Sequence, residues 1–120
     1  MKILIVDDSR VMRQIVLRTL RQAGYDHADT VEAENGRHAL QVIAAERPDL
    51  VLSDWNMPEM NGIELLRDLR AAGNQTAFGF VTSEGSDTMR EEAATAGALF
   101  LIAKPFTADT FREHLDTVAA

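Results

Sequence analysis

Four stretches of the chain place a reactive polar residue directly after a run of apolar ones. Asp7 and Asp8 follow Ile3-Leu4-Ile5-Val6, and Asp54 follows Leu50-Val51-Leu52-Ser53. Thr82 follows Phe78-Gly79-Phe80-Val81, and Lys104 ends the run from Leu99 to Ala103. Taken singly, each has an ordinary explanation. An Asp after a strand is commonly a turn residue or a helix cap, a Thr there usually satisfies a neighbouring backbone group, and a Lys before Pro is usually solvated. Taken together they suit a different chemistry. Three carboxylates brought close repel one another and raise each other's pKa unless a cation joins them. Oxygen ligands, with no cysteine and no suitably spaced histidine pair, favour a hard cation. Mg²⁺ is typically held by one or two carboxylates plus water and phosphate oxygens. Lys104 is one of only two lysines among 12 basic residues, and its compact charge suits a single phosphoryl oxygen where an arginine would fork. Thr82 adds a neutral hydroxyl. A carboxylate nucleophile with a divalent ion, a lysine and a hydroxyl around it has the parts phosphoryl transfer requires, so the set points to an aspartyl phosphate.

These residues lie far apart in the chain, and the elements between them must bring them together. Short apolar runs alternate with longer amphipathic stretches, the pattern of βαβ units around a parallel sheet. Ile3 to Val6 is a continuous apolar run, as expected of a strand buried on both faces. Ser9 caps a helix through Met12, Val16 and Leu20 that Gly24 ends. Thr30 to Ala33 alternates and reads as a half-exposed edge strand. Asn35 caps a helix carrying Leu40, Ile43 and Ala44 that stops before Pro48. Leu50 to Leu52 is the third strand, followed by an irregular loop from Trp55 to Met60. Asn61 and Glu64 form a capping box for a helix through Leu65, Leu66 and Leu69. Phe78 to Val81 is strand four and Ser86 to Ala96 a helix ending near Gly97. Leu99 to Ala103 is strand five, and Phe111, Leu115 and Val118 line a last helix. Five such units predict an open, doubly wound α/β sheet, since a closed eight-unit barrel needs about twice the length. In such sheets function sits beyond the carboxyl ends of the strands, where Asp7, Asp8, Asp54, Thr82 and Lys104 all fall.

Composition agrees with one ordinary globular domain. At 120 residues, folding removes roughly two-thirds of the unfolded chain's surface from water. The net charge of −7, from 19 acidic and 12 basic residues with no basic cluster, speaks against nucleic acid as a partner. The opening MKILIVDDS is too short and too acidic for a signal peptide. No apolar run reaches membrane-spanning length, so a cytoplasmic location without membrane partners is expected. His27, His38 and His114 are too scattered for a metal set.

The motifs IVDDS, SDWNMPEMNG, VTSE and KPF, in that order, resemble the receiver domains of two-component signalling. The likeness is closest to stand-alone chemotaxis response regulators through SDWNMPEMNGIELLRDLR and AKPFT. The resemblance implies a flavodoxin-like (βα)5 fold with strand order 2-1-3-4-5, helices on both faces, and a single receiver domain over 1–120 without an effector domain. It implies Asp54 as phosphoacceptor. Mg²⁺ would be bound directly by Asp8, largely through water by Asp7, and by Asp54 and the backbone carbonyl of Asn56. Thr82 and Lys104 would contact the phosphoryl group, with Thr82 drawn inward when it arrives, and Lys104-Pro105 is commonly cis in the family. Asn56 and Glu84 would flank the path of hydrolytic water and tune dephosphorylation. The donor would be a phosphohistidine on a sensor histidine kinase, for which acetyl phosphate can substitute. The output would be a changed contact with a downstream protein through helix four, strand five and helix five, from a chain that is monomeric when unphosphorylated. On this reading the chain is a signalling protein rather than an enzyme, although it catalyses its own phosphorylation and dephosphorylation.

Two residues depart from the family's pattern. Where receivers often carry an aromatic switch residue, three positions before the lysine, this chain has Leu101. Phe100 beside it should point to the other face of the strand, which leaves Thr82 and loop motion to carry the switch. Gly79, inside strand four, either loosens that strand or admits a close neighbour. Other readings stand beside the leading one. A phosphate sink or shuttle for a shared kinase uses the same site. A phosphorylation-independent pseudo-receiver is disfavoured by the intact set of residues. A small phosphohydrolase lacks a cap domain or substrate pocket, and a flavin-binding protein would need a phosphate-cradling loop where acidic residues stand.

Overall fold

Ile3, Leu4, Ile5 and Val6 are all buried to within 1% of their surface. An uninterrupted apolar run demands this, because successive side chains leave a strand on opposite faces and both must be covered. The computed structural model describes residues 1–119. It contains β1 (Lys2–Val6), α1 (Arg10–Leu20), β2 (Asp29–Ala33), α2 (Gly36–Glu46), β3 (Leu50–Ser53), α3 (Gly62–Ala71), β4 (Ala77–Thr82), α4 (Asp87–Ala96), β5 (Phe100–Ala103) and α5 (Ala108–Ala119). The five strands are parallel in the order β2-β1-β3-β4-β5. The winding therefore reverses between β1 and β3, the position where sheets of this kind bind ligands.

Two cores follow from the strand alternation. Ile3, Ile5, Leu50, Leu52, Val81 and Ile102 meet Val16, Leu20, Phe111 and Leu115 of α1 and α5. Leu4, Val6, Val51, Phe78 and Phe80 meet Ala39 and Ile43 of α2, Leu65, Leu66 and Leu69 of α3, and Ala93 of α4. The two edge strands, β2 and β5, are only partly covered.

The predicted helix starts hold. Ser9, Asn35, Asn61 and Ser86 each accept a hydrogen bond from the backbone amide three residues on, and Asn61 with Glu64 completes the capping box. Such caps satisfy amides that lack a helical partner and contribute about 1 kcal/mol each. The first helix does not run unchanged to Gly24. After Leu20 it widens into a π turn over Arg21–Tyr25, with Gly24 at φ 95°. The wider turn is held from α5: Arg112 Nε donates to the Ala23 carbonyl at 3.2 Å, and the Tyr25 hydroxyl donates to Asp116 at 2.6 Å.

Gly79 admits a close neighbour. A Cβ there would lie 2.1 Å from the ring of Phe100. Phe100 and Leu101 point to opposite faces as expected, Phe100 toward α5 and Leu101 into the core beneath α4.

Candidate functional site

Strand register brings the separated residues together. Val6 pairs with Ser53, and Thr82 with Ala103. Asp7 and Asp54 therefore leave adjacent strands at the same level, and Lys104 follows one residue beyond the level of Thr82. Backbone bonds extend the ladders one step further, from the Asp54 amide to the Val6 carbonyl at 2.9 Å and from the Lys104 amide to the Thr82 carbonyl at 2.8 Å.

Asp7, Asp8 and Asp54 each present a carboxylate oxygen within 4.8 Å of the others. Asp7 is buried, Asp54 half-buried and Asp8 exposed. The Asp7 carboxylate accepts the Ser9 amide at 2.9 Å through Oδ1 and faces Lys104 Nζ at 3.5 Å through Oδ2. Asp54 accepts the Trp55 amide at 2.7 Å through Oδ1, and its Oδ2 lies 3.9 Å from the same ammonium. Burial pushes the Asp7 carboxyl above its ordinary range. The Ser9 amide pulls it back, the Asp54 charge raises it, Lys104 lowers it and Asp8 raises it again. Lys104 thus faces two of the three clustered carboxyl groups, a pocket short of positive charge. Clustered oxygen donors of this kind fit a hard divalent cation such as Mg²⁺.

Around this centre, the fully buried Thr82 accepts the Glu84 amide on its hydroxyl at 3.4 Å. Asn56 Nδ2 donates to Glu84 Oε1 at 3.4 Å, joining the loops that follow β3 and β4. Among the described residues the Asn56 carbonyl accepts no hydrogen bond. The Lys104-Pro105 bond is cis. Leu101 stands apart, 6% exposed and packed in the core.

Sequence reasoning missed three positioning residues. Arg13 donates through Nη1 to the Asp7 carbonyl at 2.7 Å while its Nε pairs with Glu32 at 2.8 Å. Nothing in the sequence separates it from a solvated helix arginine. Ser53, fully buried, donates its hydroxyl to the Asp54 carbonyl at 2.8 Å. Gly62 lies so close to Asp54 that a Cβ would fall 2.2 Å from its carbonyl oxygen. A glycine in the first turn of a helix, where helix formation gains nothing from it, was a readable signal.

A parallel five-stranded sheet with an acidic cluster, a lysine and a hydroxyl at its carboxyl edge matches one known family over nearly the whole chain. Residues 3–116 match the response regulator receiver domain, and the chain belongs to that family. Among similar curated proteins, chemotaxis protein CheY-3 of Vibrio cholerae is 43% identical over 120 residues, covering 98% of this chain and 91% of that protein. Chemotaxis protein CheY1 of Helicobacter pylori is 40% identical over 121 residues, covering 98% and 96%. The crystallised chemotaxis protein CheY4 of Vibrio cholerae superposes with a TM-score of 0.84 at 36% identity, covering 98% and 97%.

Proposed function

We propose that the chain is a phosphorylation-controlled switch of the chemotaxis type, in which Asp54 accepts a phosphoryl group from a phosphohistidine on a sensor histidine kinase. The observation that carries this reading is the position of the Asp54 carboxylate, 3.9 Å from the Lys104 ammonium and clustered with Asp7 and Asp8 on the carboxyl rim of the sheet. Asp54 Oδ1 is engaged by the Trp55 amide, which leaves Oδ2 as the attacking oxygen. The new bond forms between Oδ2 and phosphorus. The P–N bond breaks and its electron pair stays on the imidazole of the donor. Lys104 offsets charge on the phosphoryl oxygens, and Thr82, its oxygen still accepting the Glu84 amide, turns its hydroxyl proton toward them. Asp7, Asp8, Asp54 and the Asn56 carbonyl would hold Mg²⁺, which supplies further neutralisation of those oxygens when bound. Asn56 and Glu84, linked across the mouth of the site, sit where water must pass to hydrolyse the acyl phosphate.

The output is a changed contact with a protein at the face of α4, β5 and α5, where Leu99 is 59% exposed. In this reading the receiver works in the cytoplasm, monomeric before phosphorylation, with no nucleic-acid or membrane partner. Among the described residues no helix is long and apolar enough to cross a membrane. A second reading, a phosphate sink for a shared kinase, is favoured by Leu101, whose buried aliphatic side chain cannot act as a swinging aromatic ring at the output face.

Trp55 follows the acceptor directly and packs against Phe80 with ring centroids 4.7 Å apart, so its fluorescence reports on the site. Titration with Mg²⁺ and then acetyl phosphate should change the signal in two steps. Asp54→Asn should abolish the second, and mass spectrometry should find one phosphoryl group on the wild type alone. Silence in the fluorescence together with an unmodified mass would make the chain a receiver-like scaffold without phosphoryl chemistry.

A further inference from the structure

The guanidinium of Arg90 reaches from α4 to two backbone carbonyls on different elements. Nη1 donates to Leu101 on β5 at 3.0 Å, and Nε donates to Gly85, in the loop after β4, at 3.4 Å. That loop begins at Thr82, whose hydroxyl accepts the Glu84 amide. It lies flat on β5: a Cβ at Gly85 would stand 3.2 Å from the Ala103 Cβ and 3.4 Å from Arg90 Nη2. Contacts thus run in sequence from the Thr82 hydroxyl through Glu84 and Gly85 to Arg90 and the Leu101 carbonyl. Beside the guanidinium is a cavity of about 190 Å³ lined by Arg90, Ala93, Ala94, Leu99 and Leu101, among others.

The geometry points to Arg90 as a positioning residue, a latch that holds the Thr82 loop in its resting place against β5 and transmits the loop's movement to the cleft between α4 and β5. The inference rests on the switch reading above. A planar fork meets two carbonyls on separate elements with its donors already oriented, whereas a lysine ammonium is a point charge on a flexible stem that loses more freedom to do so. The two bonds are unequal. The one to β5 has ordinary hydrogen-bond length, whereas the one to the loop is long and is the weaker. When Thr82 turns toward a phosphoryl group, the Glu84 amide and Gly85 carbonyl move with it. Arg90 then keeps β5, releases the loop, and shifts its stem across the cavity. Because the latch makes two bonds at rest and one afterwards, it favours the resting state. A ligand must exceed that difference to shift the population. This assigns to an α4 arginine the coupling that an aromatic side chain at position 101 cannot provide in this chain.

The test uses the full chain with Mg²⁺ and beryllofluoride as a phosphoryl mimic, comparing wild type with Arg90→Lys, which keeps the charge, and Arg90→Gln. Trp55 fluorescence gives the affinity for the mimic, and hydrogen exchange gives the response of residues 87–103. Arg90→Lys should bind the mimic several-fold more tightly, yet lose at least half of the wild type's change in protection over 87–103. In a Thr82→Ala background the same lysine substitution should change neither quantity. A wild type that responds while Arg90→Lys matches it in affinity, or keeps the full exchange response, overturns the latch and leaves the switch standing. A wild type that ignores the mimic in both measurements overturns the switch and the latch together.

Discussion

The Lys104 ammonium leans toward Asp7: Nζ stands 3.5 Å from its Oδ2, while Asp54 lies 3.9 Å away. The lysine therefore balances a buried carboxylate at rest and has to be shared with any group that arrives on Asp54. Asp7 remains under-compensated, because burial and two acidic neighbours outweigh what Ser9 and Lys104 supply.

That imbalance has a sign in stability. With its pKa raised above the ordinary 3.8 in the folded state, Asp7 binds more protons folded than unfolded. Its contribution is full below that value and is lost as pH rises through the folded pKa. Asp7→Asn should therefore stabilise the protein in the presence of chelator at neutral pH, by on the order of 1 kcal/mol. The gain should vanish in urea denaturations below pH 3.8. Added Mg²⁺ should stabilise wild type more than the variant. A gain that persists unchanged into acid excludes Asp7 as its source.

Removing the cation should cost chemistry more than fold. Lys104→Met takes away the one ammonium facing Asp54, and phosphoryl uptake from acetyl phosphate should slow on the order of 100-fold. Intact-mass time courses measure it, and uptake at the wild-type rate would assign the neutralisation elsewhere.

Gly62 sets the approach of α3 to Asp54. Gly62→Ala forces a Cβ within 2.2 Å of the Asp54 carbonyl oxygen and 2.8 Å of the Phe80 ring. A loss of about 2–3 kcal/mol is expected, with Trp55 fluorescence shifted in the folded protein because the neighbouring peptide moves. Equal stability in guanidinium titrations would show that the helix start yields freely.

Gly79 and Phe100 should behave as a pair. Gly79→Ala alone should cost about 1–3 kcal/mol, since the ring 2.1 Å away must leave. In a Phe100→Leu background the same change should cost less than half as much, and the double-mutant cycle measures the coupling directly. Additive penalties would place the strain elsewhere on β4.

The hydrogen bond from Tyr25 to Asp116 ties the π turn to α5. Burial, then the Asp116 hydrogen bond and charge, push the tyrosine up to about 12 from 10.0. Folded Tyr25 keeps its proton where the unfolded chain gives it up, so its contribution falls as pH rises from 10 to 12. Tyr25→Phe should lose about 1 kcal/mol at neutral pH, and the gap to wild type should close across that interval. A gap independent of pH would point to packing alone.

The sheet was legible in the sequence because burial on two faces makes Ile3 to Val6 of β1 and Leu50 to Leu52 of β3 continuous apolar runs, and because Ser9, Asn35, Asn61 and Ser86 mark helix starts locally. The site was legible for a related reason: a polar residue ending an apolar run has its level in the sheet set by the strand before it. What stayed hidden depends on contacts between distant segments. Arg13 is an unremarkable helix residue until β1 and β2 lie beside it. The alternatives for Gly79 could be separated only once Phe100 was seen across the sheet. The π turn at Arg21–Tyr25 owes its place to partners on α5, almost ninety residues later.

The spacing of the site along the chain has a consequence for durability. Asp7 and Lys104 meet although 97 residues separate them, and every strand but β2 contributes a member. No fragment of the chain contains the centre, and fraying of the β5 edge would remove the one ammonium that faces it among the described residues. Unfolding therefore always takes the centre with it, and local opening at β5 is enough to dismantle it. A nicked or truncated copy falls silent and does not become stuck in a half-active form that competes with intact molecules.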